Sequence, residues 1–382
     1  MKKTFSKATF IIIFLFCSIK IFAQSKSIPV FVSGTEGYKS FRIPAIIKAP
    51  NDDLLAFCEG RVNGSGDFGN IKIVLKRSSN NGKTWTPLQI VASNDSLQAG
   101  NPAPVADLTD PRFPQGRIFL FYNTGNGHEG ELRKGKGHRD VLFKTSTDNG
   151  KTWSDPVDIT TQVNRINQPQ VNPAWNFKED WRTYANTPGH ALQFEHGKYK
   201  GRIYVAANHS SGDAKSELRD YQAHGYYTDD HSATFRLSET VPFEGSNEST
   251  AAQLTNNSLI MNSRNQTGKY RVVSMSKNGG ETWDTTYVDH HLPDPICEGS
   301  LLNIGIKHRK SVLAFCNNDD TTNRDSLTLR ISFDEGKSWK KKFLIEPKNT
   351  GYSDIVKISK KKIGVLYEAD GYKEIRFVVM KW

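Results

Sequence analysis

Ser146-Thr147-Asp148-Asn149-Gly150-Lys151-Thr152-Trp153 recurs as Ser332-Phe333-Asp334-Glu335-Gly336-Lys337-Ser338-Trp339. Looser copies stand at residues 78–85 (Ser-Ser-Asn-Asn-Gly-Lys-Thr-Trp) and 276–283 (Ser-Lys-Asn-Gly-Gly-Glu-Thr-Trp), and a decayed one at 228–235 (Thr-Asp-Asp-His-Ser-Ala-Thr-Phe). The shared template, Ser-x-Asp-x-Gly-x-Thr-Trp, has the chemistry of a hairpin turn. Asp or Asn bonds back to the turn backbone and Gly supplies a positive φ. The hydroxyl residue adds a bond, and Trp packs the turn onto a sheet. One copy would mark one hairpin; five copies at intervals of about fifty to eighty residues mark repeated β units with insertions between them.

Outward from these turns the chain reads as short strands rich in β-branched and aromatic residues. Examples are 117–122 (Arg-Ile-Phe-Leu-Phe-Tyr), 202–206, 258–261 and 362–367, bounded by turn residues. No long amphipathic helix interrupts them. Repeated units of this kind close radially, which predicts an all-β, six-bladed β-propeller. One domain is expected from residue 25 to 382, with the 155–220 region forming loops or a small cap.

The first residues have a different character. Lys2, Lys3 and Lys7 precede an apolar run over 8–16, and Ala23 follows. This predicts a signal peptide over 1–23, and hence a secreted or periplasmic protein. Cys17 raises the alternative of a lipoprotein anchor, but Phe16 before it is bulky where a small residue is wanted. No later stretch is long and apolar enough to cross a bilayer. Loss of the four leader lysines lowers the net charge from +11 to +7, an excess that suits an anionic ligand. Dense basic helices and RNA-binding aromatic motifs are missing, so nucleic acid is not expected as a partner. Cys58, Cys297 and Cys316 would remain, an odd number in apolar runs, which predicts buried free thiols. Their spacing, and that of the adjacent His290 and His291, fits no metal site, so neither metal nor cofactor is expected.

The repeat resembles the Asp box of sialidase-type propellers, and further segments resemble the bacterial exo-sialidase family in its order along the mature chain. Phe41-Arg42-Ile43-Pro44 is similar to the family's Phe/Tyr-Arg-Ile-Pro motif. Cys58-Glu59-Gly60-Arg61 with Gly66-Asp67-Phe68-Gly69 resembles its Glu-Gly-Arg and Asp-x-Gly segment. Asn101-Pro102-Ala103-Pro104 leads to Asp107 in the same manner. Asn247-Glu248 followed by Asn262-Ser263-Arg264 is similar to the family's Asn-Glu and Asn-x-Arg pair. Gly351-Tyr352-Ser353-Asp354 resembles its tyrosine motif, with Glu368 beyond. His128-Glu129 and 133–139 also resemble a family segment, assigned here only to a loop at the pocket edge. Thr187-Pro188-Gly189-His190 departs from the family's Gly-Pro-Gly, and Glu298 stands where it usually has Gln.

The resemblance implies a retaining exo-α-sialidase acting on sialylated glycoproteins, gangliosides or oligosaccharides, as a monomer. Sialic acid carries a carboxylate on its anomeric carbon, so a fixed arginine cradle is needed and a carboxylate nucleophile would be repelled. It implies Tyr352 as nucleophile, Glu248 as its base and Asp67 as acid/base. Arg42, Arg264 and Arg324 would hold the carboxylate, with Arg330 competing for the third place. Arg61 would line the pocket, Asp107 would meet a ring hydroxyl, and Glu368 would hold Arg42. A trans-sialidase or an anhydro-forming variant would use the same parts. A sialoside-binding lectin would need the arginines but not Asp67, Glu248 and Tyr352 together.

Overall fold

The computed structural model describes residues 26–382; the expected signal peptide and Cys17 lie outside them. The regular structure is almost entirely antiparallel strand, in consecutive meanders, and the first strands Ser40–Lys48, Gln98–Asp107 and Ser246–Gln253 are buried along most of their length. Strands spanning 246–293 and 300–346 make two four-stranded sheets, and those spanning 181–237 make a five-stranded one. A fourth sheet joins three C-terminal strands to Ile28–Val32, which pairs with Glu374–Lys381. This N-terminal strand covers the edge that the last meander would otherwise leave open.

The architecture is a β-propeller, but the expectation of six separate blades needs correction. Four sheets stand alone, and the strands of 40–92 and 98–158 form one eight-stranded sheet. The physical reason is a single parallel contact, Ile71 opposite Gln98, that joins the third strand of one meander to the first of the next.

All five sequence repeats adopt one geometry, between the last two strands of a meander. In the second copy Ser146 Oγ donates to Asp148 at 2.8 Å and accepts from Gly150 N at 2.8 Å, while Asp148 accepts from Thr152 N and Oγ1 at 2.9 and 2.6 Å. The decayed copy keeps the same bonds through Thr228, Asp230, Ser232 and Thr234. There Ser232 takes the glycine's place at φ 80°, in the left-handed region. Elsewhere glycine is demanded twice over. Gly82 has φ 81°, and a Cβ on it would stand 2.1 Å from Phe377 of the sheet that closes the molecule. The turns therefore dock on the preceding meander, and Trp85 and Trp153 meet Phe377 and Phe57 there at ring distances of 5.4 and 6.0 Å.

The apolar core lies between neighbouring meanders. Phe121, Val141, Val205 and Tyr226 fill one such layer, and Leu259, Met261, Tyr204 and Ala206 another. Cys58, Cys297 and Cys316 are buried free thiols, in agreement with the sequence. The 155–220 region contributes only a helical turn at Thr160–Val163, a 3-10 turn at Ser216–Leu218 and loops around its strands.

Candidate active site

First strands of several meanders break register at one end of the molecule, and these breaks aim side chains into a shared cavity. The irregularities fall between Arg42 and Ala45, Gly100 and Ala103, and Ser246 and Ser249. Ile43, a β-branched residue, is held at φ 59° inside the first, a strained state that persists only when its surroundings enforce it. Glu368 does so: its Oε1 accepts from Ile43 N at 2.9 Å and Arg42 Nε at 2.6 Å, and its Oε2 from Tyr352 N at 2.9 Å.

The cavity measures about 450 Å3, and six arginines line it: Arg42, Arg61, Arg133, Arg139, Arg264 and Arg324. Facing them are Glu59, Asp67, Glu129 and Glu248. At its centre Tyr352 Oη donates to both Glu248 oxygens, at 2.6 and 2.7 Å, and accepts from Arg264 Nη1 at 3.0 Å. Arg264 also reaches Glu248 at 2.8 Å. Burial, foremost, and the Glu248 charge push the Tyr352 phenol well above its ordinary pKa, against the pull of Arg264 and Arg324. The hydroxyl is thus neutral, with its proton already on the line to a carboxylate. Arg42 and Arg324 flank the same ring at 5.6 and 5.5 Å. Burial alone would favour a neutral Arg42, but Glu368 outweighs it and raises the pKa, so the cation is kept.

On the other side, Arg61 donates to Glu59 Oε2 at 2.7 and 3.0 Å and to Asp67 Oδ1 at 2.8 Å. Asp67 is the exposed member, its side chain 73% accessible. Burial would raise its pKa, yet the Arg61 charge and bond win and lower it.

Two sequence candidates are placed elsewhere. Asp107, expected at a ring hydroxyl, is fully buried and bonded to Gln193, Thr109 and His231. It ends a strand whose opposite end, at Gln98 and Asn101, reaches the cavity; six residues of strand span about 20 Å. Arg330 is fully buried inside its blade, on Asn317 and Asp319. Arg324, in the loop before that strand, lines the cavity. Strand alternation and one loop separate the two arginines.

A family model, the BNR repeat-like domain, matches residues 52–365. The chain belongs to this family. Its relatives include a sialidase of Micromonospora viridifaciens, 30% identical over 88% of this chain and 51% of the relative. An exo-alpha-sialidase of Arthroderma benhamiae is 29% identical over 88% of this chain and 80% of its own length. The chain thus spans about half of the bacterial relative and most of the fungal one. Among solved structures, a Hadza microbial sialidase superposes with a TM-score of 0.77 at 25% identity, covering 93% of this chain and 68% of that one.

In this BNR-repeat protein the loop expected at the pocket edge does line the cavity through His128, Glu129, Arg133 and Arg139, while several residues in or beside the cavity have roles that no local motif announced. Glu59 fixes Arg61, and the i, i+2 spacing of the pair on one strand face was the signal for it. Glu129 holds Arg139 at 2.6 Å and accepts a short bond from the Tyr221 hydroxyl. Tyr221 lies 92 residues away, beyond the reach of any local pattern. Tyr372 stacks on Arg42 at 4.0 Å and accepts from Arg324 Nη1 at 3.2 Å, tying two arginines together. Glu298 stays out of the cavity and accepts from Ser353 N at 2.9 Å. Burial, foremost, with Asp354 and Glu248 nearby, pushes its pKa well up against the bond from Ser353 N, which favours the uncharged form. His290 and His291 are exposed.

Among the described residues, Asp107, Asp110 and His231 are the one group close enough to share an ion. Their carboxylates already face Arg112 and Arg117, cations that oppose a further positive charge.

Proposed function

We propose that this protein is a retaining exo-α-sialidase that removes terminal sialic acid from glycoproteins, gangliosides or oligosaccharides. The observation that carries the proposal is the Tyr352–Glu248 contact at 2.6 Å, enclosed by Arg42, Arg264 and Arg324. The arginines bind the substrate carboxylate in charge-assisted pairs. Glu248 takes the phenol proton as Tyr352 Oη attacks the anomeric carbon. Asp67 protonates the departing oxygen, and the glycan leaves. Asp67 then deprotonates a water that displaces Tyr352, whose oxygen recovers its proton from Glu248. Two displacements give net retention. A lectin would have no use for a tyrosine buried against a glutamate, which favours the enzyme.

The same reading takes the eight-stranded sheet as two blades, making six. Six interlayer clusters support it, linking each meander to the next and the last to the first through Val30, Phe31, Val356 and Phe41. It also takes residues 25–382 as one catalytic domain, exported by the leader over 1–23.

Tyr352→Phe keeps the ring and removes the attacking oxygen. Hydrolysis of a natural sialoside is expected to fall by several orders of magnitude while sialoside binding persists. Proton NMR of the unaltered protein's reaction should show the α-anomer of free sialic acid first. Early β-anomer would exclude double displacement, and near-normal turnover of the Phe variant would exclude Tyr352.

A further inference from the structure

Residues 301–382 carry 17 Lys and Arg against 10 Asp and Glu, and much of this charge gathers in one place that catalysis does not use. The turn Lys307-His308-Arg309-Lys310 and the triplets Lys340-Lys341-Lys342 and Lys360-Lys361-Lys362 are all exposed. Each lies far from the cavity. The strands Ser300–Lys307 and Ser353–Ser359 begin beside it and run to these turns. Phe333 unites them: Lys307 and Lys341 stand over its ring at 5.4 and 5.6 Å. Trp382 packs beside it at 6.3 Å, and its backbone N–H donates to Lys361 O. Lys362 and Lys381 sit directly opposite each other across two strands, a like-charge pair that costs stability until an anion meets it. Among the lysines of the turn and the two triplets, only Lys342 makes an ion pair with an acid, Asp319 at 3.4 Å, among the described residues.

The patch is also apolar. Ile306 and Leu344 stand 57% and 54% exposed within it. Leu344, Ile358 and Met380 line a groove of about 820 Å3 with Lys362 and Lys381 at its rim.

We propose that this face docks on an anionic lipid bilayer, with the lysines at the level of the phosphates and Ile306, Leu344 and the groove against the acyl boundary. Charge complementarity calls for an anionic partner. Exposed aliphatic side chains among the lysines select lipid over a soluble polyanion, which would use the charges alone. Docking by this face turns the catalytic cavity away from the membrane.

The test is co-sedimentation of the full chain with vesicles of phosphatidylcholine mixed with phosphatidylglycerol, against phosphatidylcholine alone. Binding is expected only with the mixed vesicles and should weaken as salt is added. Exchange of Lys341, Lys361 and Lys362 for Glu should reduce it about 100-fold or more. Ile306→Ser with Leu344→Ser should reduce it about tenfold or more. Both variants should turn over a soluble sialoside like the unaltered protein, which reports an intact fold and leaves the catalytic reading separate. Equal binding to both vesicle types, or undiminished binding by the Glu variant, overturns the proposal. So does an indifferent Ser variant whose binding DNA or a sulfated glycan fully displaces, since that is a polyanion site.

Discussion

Asp67 differs from the rest of the cavity in standing exposed on a loop while Tyr352, Glu248 and Glu368 are packed away. The difference matches its task, since a group that must release a proton to the leaving oxygen and then recruit water needs access to solvent. Its pairing with Arg61 lowers the pKa, so near neutrality the free protein holds the wrong protonation state for an acid. The protonated fraction grows as pH falls, and kcat/KM for natural sialosides should grow with it. Asp67→Asn should cost a natural sialoside about 10²–10⁴-fold. An aryl sialoside with a good leaving group should lose far less and show a flatter alkaline limb. Equal losses on both substrates would mean that Asp67 does not protonate the leaving group.

At the scale of elements, the meander over 181–237 carries a buried polar cluster on its strands. His209 Nδ1 and His224 Nδ1 are 3.0 Å apart, Trp181 stacks on His209 at 3.6 Å, and His224 Nε2 meets the Tyr184 hydroxyl at 3.2 Å. Burial pushes both imidazoles down, His224 to about 3, with the His224 charge acting further on His209 and Arg165 on His224. Both are therefore neutral in the fold, whereas an unfolded imidazole titrates near about 6.5. Their contribution is whole above that pH and is lost as pH falls below it, by up to about 1.4 kcal/mol per pH unit for each histidine. His190 works in the opposite sense. Burial lowers its pKa but Asp354, at 2.6 Å, raises it overall, so its contribution is whole below about pH 6.5 and is lost only as pH rises above that, outside the window of the other two. Thermal midpoints should therefore fall between about pH 6.5 and pH 4, and His224→Gln should flatten that fall. A midpoint that is level over this range, or a variant as steep as the parent, would refute the cluster's role.

For the whole molecule the decisive feature is closure by a strand from the other end of the chain. Ile28–Val32 completes the sheet of Glu374–Lys381, and its fully buried Phe31 packs 5.4 Å from Phe41 of the neighbouring meander. The closing sheet has no repeat turn because its outer strand comes from the N-terminal part of the chain and needs no hairpin; five repeat turns therefore accompany the 25 strands of the described residues. Phe31→Ala should lower the unfolding free energy by about 3–5 kcal/mol, read from urea unfolding, and should reduce the protection of cavity backbone amides on both sides of the seam. Loss confined to residues 28–32 would show that closure does not hold the cavity together.

The sequence by itself determined the repeated turns, the all-β propeller and the identity of the cavity's central residues. These are short-range matters: Asp, Gly, Thr and Trp within eight residues specify a turn wherever it occurs, and the central residues sit in short motifs whose resemblance to a family, in its order, carries their assignment. Only the tertiary structure decided which candidates meet. Asp107 and Asn101 share one strand yet emerge at opposite ends, so a pattern that names both cannot say which reaches the cavity. Arg324 and Arg330 are six residues apart, and only loop against strand sends one to the cavity and buries the other. Tyr372, Tyr221 and the lysine face draw their meaning from partners on other meanders. The parallel contact at Ile71 and Gln98 was invisible as well, because one backbone pairing leaves no mark in side-chain pattern. Radial closure brings together residues more than three hundred positions apart, such as Arg42 and Glu368, and no local rule reads across that distance.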